Sequence, residues 1–284
     1  MFAFFRAIVG IAVLVFVIAT MLNVGLTQAP AEILRYLRNW RFVLRMLIAN
    51  FVLVPLTMIL ILRVTSFEPA MRAGLLVFSL GAGAPFLIKL TQVAEHHLAL
   101  GAAVMMLLMV ATIIYVPLVL PHVVSGSTMS AATLTRTLLR QMLAPTAAGM
   151  ITAQLLPTLA RIVQPWVARL ANLALYVVLA ATFIGYYPNL ADVVRSGALL
   201  AAVVFVLIAF GLGYLAGGGA DHLEDVGALG TAQRNTAAGL IVATQTFSDP
   251  NVLVLLSLAN TVGLVLLIAL ARFVRRDNPV HAAA

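Results

Sequence analysis

Two hydrophobic segments, each long enough to cross a membrane, contain a break in the middle, and these breaks constrain the fold more than any other feature. The first segment, residues 71–94, is interrupted by Gly81-Ala82-Gly83-Ala84-Pro85, and the second, residues 222–247, by residues 229–235. Inside a bilayer, backbone without helical hydrogen bonds is tolerated only where protein or a water-filled cavity covers it. We therefore expect both breaks to lie in the interior, beside a binding site.

The composition is typical of a polytopic membrane protein that is embedded in a lipid bilayer. Hydrophobic residues make up 63% of the 284 residues and charged residues only 9%, which is far from the composition of a soluble domain. The net charge of +8 comes from single cations near segment ends, without the basic tracts of proteins that bind nucleic acid, so nucleic acid is excluded as a partner. The chain has no cysteine, which excludes disulfides and cysteine-ligated metals.

The hydropathy pattern predicts an all-α membrane protein of about nine transmembrane helices, since a span needs about 20 apolar residues. The predicted spans are residues 4–26, 41–63, 71–94, 97–121, 134–156, 165–187, 195–217, 222–247 and 250–274. We interpret the longer polar stretches, residues 27–40 and 122–133, as loops.

The two breaks occupy corresponding positions, the third of the first four spans and the fourth of the last five. This predicts an inverted repeat whose first half lacks one helix at its N-terminus. The predicted divisions of this single membrane domain are residues 1–122 for the first repeat, 133–276 for the second and 277–284 for a C-terminal tail. Nine arginines near span ends lie on the side of the C-terminus and six on the other, which predicts a cytoplasmic C-terminus.

A positive charge accompanies each break. Lys89, the only lysine of the chain, follows the first break near the middle of a span, where a charge costs about 2.5 to 3.5 kcal/mol or more. We interpret it as a buried functional group, rather than as a side chain that reaches the membrane surface or pairs with Glu95. Arg234 lies within the second break. Two cations near the N-terminal ends of half-helices favour a carboxylate-bearing substrate.

The second break is the more polar of the two, since residues 230–236 read Gly-Thr-Ala-Gln-Arg-Asn-Thr. Their amides, hydroxyls and carbonyls are suitable partners for a small cation or a carboxylate. The alternatives are an extramembrane loop here and a simple proline kink at the first break. The flanks of the second break are each too short to span alone, which disfavours a loop. The candidate residues for binding a substrate or ion are Asn50, Ser79, Gly81, Gly83, Pro85, Lys89, Thr231, Gln233, Arg234, Asn235, Thr236, Asn260 and Thr261.

Four short motifs follow one another in an order that resembles the bile acid:sodium symporter family. They are Asn50-Phe51-x-x-x-Pro55, Ser79-x-Gly81-x-x-Ala84, Gln233-Arg234-Asn235 and Asn260-x-x-Gly263. The resemblance implies an inverted repeat of five helices, divided into a core and a panel domain, with two broken helices that cross at the membrane centre. Members with nine spans lack the first helix. It also implies sodium-driven import of a small organic anion and, for a bacterial-type member, a place in the inner (plasma) membrane.

The sodium ligands that the resemblance implies are incomplete in this chain. Asn50 and Gln233 match residual ligands, and Asn260 matches an asparagine of the last helix. However, Pro85-Phe86 replaces a Ser-Asn pair, and Leu229 replaces a glutamate. The facing helix, which supplies hydroxyls in the family, here reads Met-Met-Leu-Leu-Met at residues 105–109, and thioethers are poor ligands for a hard cation.

Loss of a carboxylate and gain of Lys89 and Arg234 reverse the charge of the crossing, which argues against two bound sodium ions. We therefore predict no cofactor and no complete metal site. Lys89 is predicted to take the place of one sodium ion, so that transport is coupled to protons or to no ion.

Other functions fit the sequence less well. An enzyme is disfavoured because the pair His96-His97 has no third ligand nearby and the acidic cluster at residues 221–225 is interpreted as a helix cap. An anion channel is an alternative, although a pore is usually lined by a ring that oligomer symmetry repeats. An exporter of a small oxyanion or metalloid in the same superfamily is another, and such members usually rely on a cysteine.

Overall fold

The computed structural model describes residues 2–28, 30–124, 130–219 and 223–276, and all regular elements within these ranges are helices. In chain order they are α1 (Phe2–Thr27), α2 (Pro30–Leu37), α3 (Trp40–Ile48), α4 (Val54–Val64), α5 (Pro69–Leu80), α6 (Phe86–Val93), α7 (Leu98–Val123), α8 (Ala131–Leu138), α9 (Ala144–Leu155), α10 (Pro157–Gly185), α11 (Tyr187–Arg195), α12 (Ala198–Gly217), α13 (Leu223–Ala232), α14 (Thr236–Thr246) and α15 (Pro250–Arg276). Short π-helical turns, Ala49–Leu53 and Leu139–Leu143, join α3 to α4 and α8 to α9. The predicted all-α class is confirmed.

In the described part of the chain, six helical stretches are long and apolar enough to cross a membrane. They are Ala7–Thr27, Trp40–Val64, Leu98–Val123, Pro157–Gly185, Ala198–Gly217 and Pro250–Arg275. These correspond to six of the predicted spans, whereas the predicted spans 71–94 and 222–247 are divided into shorter helices. The predicted span 134–156 lies in α8, the π turn and α9, a continuous helical stretch that is not among the six. The count of nine spans, the inverted repeat and the division into residues 1–122 and 133–276 remain predictions.

The first break lies where the sequence predicts it, between the end of α5 at Leu80 and the start of α6 at Phe86. The second break is shorter than predicted, because α13 continues through Ala232 and only residues 233–235 lie between α13 and α14. Residues 229–232 contain no proline, so nothing in them prevents the helical hydrogen bonds from continuing. The prediction that the break begins at residue 229 is therefore wrong by four residues.

One of the two predicted loops contains a helix. Between α1 and α3, α2 packs against α7, with Ile33 buried against Ala102 and Ala103. Its single apolar face, spread over eight residues, is too short to stand out in a hydropathy profile. In the other predicted loop, residues 125–129 lie outside the described residues, and Ser130 caps α8 by accepting a hydrogen bond from the backbone N–H of Thr133.

The broken helices lie in the interior, as the breaks predict. In α5, every residue from Ala73 to Leu80 is buried, and α13 and α14 are buried along most of their length. Helices that are apolar on all sides need neighbours on all sides, and these are supplied by α7, α12 and α15. A second group of helices, α1, α9 and α10, makes its most extensive contacts within itself.

Two glycines allow α1 and α9 to touch along their backbones. A Cβ atom added at Gly25 would lie 2.1 Å from the carbonyl oxygen of Thr146 and 2.8 Å from the backbone nitrogen of Met150. A Cβ atom at Gly149 would lie 2.5 Å from the carbonyl oxygen of Leu22. Small residues at such crossings are the usual means by which helices pack closely in membranes.

We expect Gly25→Ala to lower the thermal unfolding temperature of the purified protein in detergent, because the added methyl group forces α1 from α9 at a cost of about 1 to 3 kcal/mol. Gly10→Ala in the same helix is the control, since no described atom lies within 4 Å of its added Cβ atom. Equal unfolding temperatures for the two variants would contradict the close crossing.

Candidate functional site

The two breaks meet in the interior and hydrogen-bond to each other through their backbones. Ala82 and Arg234 form an isolated antiparallel bridge, and the backbone N–H of Asn235 donates to the carbonyl oxygen of Gly81 over 3.1 Å. Each unwound segment thus supplies hydrogen-bond partners for the other. Four half-helices, α5, α6, α13 and α14, end or begin at this crossing.

Asn235 stabilises both broken helices with one buried side chain. Its Oδ1 atom accepts a 3.1 Å hydrogen bond from the backbone N–H of Ala238 and so caps the N-terminus of α14. Its Nδ2 atom donates to the carbonyl oxygens of Ala82 and Gly83, each over 3.1 Å. An asparagine is well suited to this position because its amide carries both acceptor and donor atoms.

Thr112 of α7 holds the first break from the other side, and the sequence analysis did not identify it. The backbone N–H of Ala82 donates to the Thr112 hydroxyl over 2.9 Å, and the hydroxyl donates back to the carbonyl oxygen of Ala82 over 2.9 Å. Gly83 has a positive φ of 76°, and a Cβ atom there would lie 2.1 Å from the backbone nitrogen of Met109. The available signal was a lone threonine in the apolar run of α7.

Arg234 is the buried charge at the crossing, with 2% of its surface exposed. Its Nη1 atom donates to the carbonyl oxygen of Thr231 over 2.9 Å and to Oδ1 of Asn50 over 3.1 Å. Its Nη2 atom donates to the carbonyl oxygen of Ser79, and its Nε atom donates to that of Phe78 over 3.4 Å. The guanidinium carbon also lies 6.0 Å from the centre of the Phe205 ring, within range of a cation–π contact.

These carbonyl oxygens belong to the C-terminal ends of two half-helices. Phe78 and Ser79 lie in the last turn of α5, and Thr231 lies in the last turn of α13. Such carbonyls lack partners within their own helix and carry the negative end of the helix dipole. A guanidinium meets this need with fixed, planar donors. Four charge-assisted hydrogen bonds of about 1.5 kcal/mol or more each are sufficient to offset a desolvation penalty of several kcal/mol.

Asn50 orients this group from the π-helical turn between α3 and α4. Its Nδ2 atom donates to the carbonyl oxygen of Met46 and to the hydroxyl of Thr231, both over 3.0 Å, which leaves Oδ1 for Arg234. A π turn inside a helix is frequent at functional sites because it re-aims a side chain. Asn50 and Thr231, which were predicted as site residues from sequence, therefore do lie together with Arg234.

The remaining predicted polar residues play different parts. The Thr236 hydroxyl donates to Oδ1 of Asn260 and thereby links α14 to α15. The hydroxyls of Ser79 and Thr261 bond to carbonyl oxygens of their own helices, so that Ser79 serves the crossing through its backbone. Gln233 is 3% exposed, and within the described part of the chain its Oε1 atom has no hydrogen-bond partner.

Lys89 is not brought to the crossing. Its side chain is exposed, and its Nζ atom donates to Oε1 of Gln92, which is also exposed, over 3.0 Å. Leu87 and Leu90 take the buried face of α6, so that position 89 lies on the opposite face. The prediction that Lys89 is buried beside the break is therefore wrong. An exposed Lys89 on the outer face of α6 also gives no support to the prediction that it takes the place of a sodium ion at the crossing. Pro85 carries no polar side chain and starts α6.

Among the described residues, two contacts between an acidic and a basic side chain lie away from the crossing. Glu95 bonds to Arg275 of α15 over 2.7 Å instead of to Lys89. His96 lies 3.1 Å from the carboxylate of Asp225, in the first turn of α13. Of the acidic cluster that was interpreted as a cap, Asp221 and His222 lie outside the described residues.

The family model of the Sodium Bile acid symporter family matches residues 13–214, more than two thirds of the chain. The matched region includes Asn50, the first break and Thr112, and it ends before α13. No match was found among the curated proteins. The family match confirms the resemblance that the succession of motifs indicates.

We expect Thr112→Val to destabilise the protein by about 1 to 3 kcal/mol, because it leaves the buried N–H of Ala82 without an acceptor. The matched control is Thr146→Val, which removes an equally buried hydroxyl that bonds only within its own helix. Thermal unfolding in detergent measures both, and equal losses would show that Thr112 has no special part in holding the break.

Proposed function

The chain belongs to the Sodium Bile acid symporter family, whose members are transporters, and from this we propose that it carries a small organic anion of the carboxylate type across the membrane. The substrate binds beside the crossing of the broken helices. Membership of the family and the six apolar helices make the chain an integral membrane protein. We further propose a bacterial inner membrane, with the C-terminus in the cytoplasm.

The observation that carries the choice of an anion is the uncompensated charge of Arg234. Its four hydrogen-bond partners are neutral oxygens, and among the described residues no aspartate or glutamate is buried. A guanidinium stays protonated in proteins, and its field is weakly screened in the interior. The half-helices α6 and α14 also begin at the crossing, and their N-terminal ends add positive potential.

We propose that a small molecule enters through a cavity of about 450 Å³. It lies between α1 of one helix group and the end of α14 with the start of α15 of the other, and its lining includes Val9, Thr244 and Asp249. Its volume falls in the range of sites for small ligands. We propose that α1, α9 and α10 move as a panel against the remaining helices, as expected for alternating access around a fixed site.

Transport measurements distinguish two alternative functions from the proposed one. An anion channel would give fluxes that do not saturate with substrate concentration, whereas a carrier saturates. An exporter of a small oxyanion would respond to arsenate-like ions and not to carboxylates. The buried cation at the crossing is compatible with either anion, and the family match favours an organic one.

We expect proteoliposomes that contain the wild-type protein to take up at least one small carboxylate with saturable kinetics in sodium-free choline medium, and Arg234→Ala to lose this uptake there while the protein remains folded. Arg63→Ala, which removes an exposed arginine at the end of α4, is the control and should retain uptake. A thermal-shift panel of organic anions selects the substrates, since a ligand of the folded state raises its unfolding temperature. Wild-type uptake by Arg234→Ala would refute the site.

We also expect uptake to persist when choline replaces external sodium at constant pH, so that transport is coupled to protons or to no ion. The physical reason is that a fixed cation already lies among the carbonyl oxygens of the crossing. Uptake that collapses in choline, with the membrane potential clamped, would show classical sodium coupling instead.

A further inference from the structure

We infer that the guanidinium of Arg234 permanently occupies a cation-binding site whose oxygen ligands are suited to hold a free cation from solution. The inference builds on the proposed carrier function, because it explains how such a carrier would work without a coupling cation at this position. It concerns a binding site that exists in the protein whether or not a substrate is present.

The oxygens around the guanidinium form a ligand set for a cation. Three backbone carbonyls, of Phe78, Ser79 and Thr231, and the amide oxygen of Asn50 face one group. Neutral carbonyl oxygens are the ligands that hold hard cations in loops and channel filters. Two of the contributing segments are the C-terminal ends of half-helices, where unwound carbonyls coordinate ions in other carriers.

In the interior of the protein, these oxygen atoms would be destabilising if no cation or hydrogen-bond donor lay among them. The carbonyls at the ends of α5 and α13 have no partners within their own helices, and a buried acceptor without a hydrogen-bond partner destabilises the folded protein. The negative ends of the two helix dipoles favour a positive charge as their partner, either bound from solution or attached to the chain. Arg234, in the unwound segment next to Thr231, supplies this positive charge. Because the guanidinium is part of the chain, the entropic cost of binding a free ion is avoided.

Because the cation at this site is covalently attached to the chain, the site acts differently from one that binds a free ion. A free ion leaves at the side of low concentration and so transfers the energy of its gradient, whereas Arg234 cannot leave. The site is then occupied in every conformation and at any ion concentration. The neighbouring Gln233 keeps a buried amide oxygen that has no partner in the described ranges, so that one further acceptor is present in the same segment for an ion that takes the place of the guanidinium.

The test compares cation binding by wild-type protein and by Arg234→Ala and Arg234→Gln in detergent, without substrate. Unfolding temperatures are measured in chloride salts of sodium, guanidinium at low concentration and choline, and in urea, which has a similar planar shape but no charge. We expect both variants to unfold at lower temperature than wild type in choline. Sodium or guanidinium should raise their unfolding temperatures by about 3 °C or more at saturation, whereas urea should not.

Wild-type protein and Arg63→Ala should show the same unfolding temperature in sodium as in choline. A sodium-dependent rise in wild type would overturn the inference even if the variants fail to fold. Folded variants that gain no stability from either cation would also overturn it. Because no substrate is used, a cation-dependent shift confined to the Arg234 variants supports the inference even where carboxylate uptake fails, and such a failure then counts against the proposed substrate alone.

Discussion

The structure of the protein interior depends on how the ends of the broken helices find hydrogen-bond partners. When a helix stops in the middle of a membrane, its last carbonyls and the first N–H groups of the next helix have no water to bond with. Here several of these groups bond to the other broken helix or to a side chain. Arg234 serves the carbonyl ends of α5 and α13, and Asn235 serves the start of α14 and the carbonyls of the first break. Thr112 completes the set from α7.

A charge that is placed for structural reasons also becomes available for function. The partners of Arg234 are dipoles, which bond to the guanidinium without neutralising it. The crossing therefore keeps a net positive potential in a region of low dielectric constant, where electrostatic effects reach further than in water. In the proposed carrier this potential would select the sign of the substrate. Stability and selectivity then depend on the same side chain, so that a substitution which removes one affects the other.

Structural features that depend on the local composition of the chain were predicted well from the sequence. Glycine, proline and polar residues within apolar segments placed the first break and singled out Asn50, Arg234 and Asn235, whereas the start of the second break was predicted four residues too early. Prediction from the sequence failed where the outcome depends on neighbours in space. The side on which Lys89 lies is decided by which face of an eight-residue helix packs inward. The principal ligands of Arg234 are backbone carbonyls, which every residue possesses and which therefore leave no mark in a sequence. The eight residues of α2 were missed because their apolar face is short.

The double use of Asn235 restricts how the protein moves. Because one amide caps α14 and also holds Ala82 and Gly83, neither broken helix is free to shift against the other without several hydrogen bonds being lost at once. We therefore expect the two broken helices to move together at the crossing. In the proposed carrier, access to the substrate from alternate sides would then arise at the boundary between the helix groups, and the turnover rate should depend on the lipid and the side chains at that boundary more than on the crossing itself.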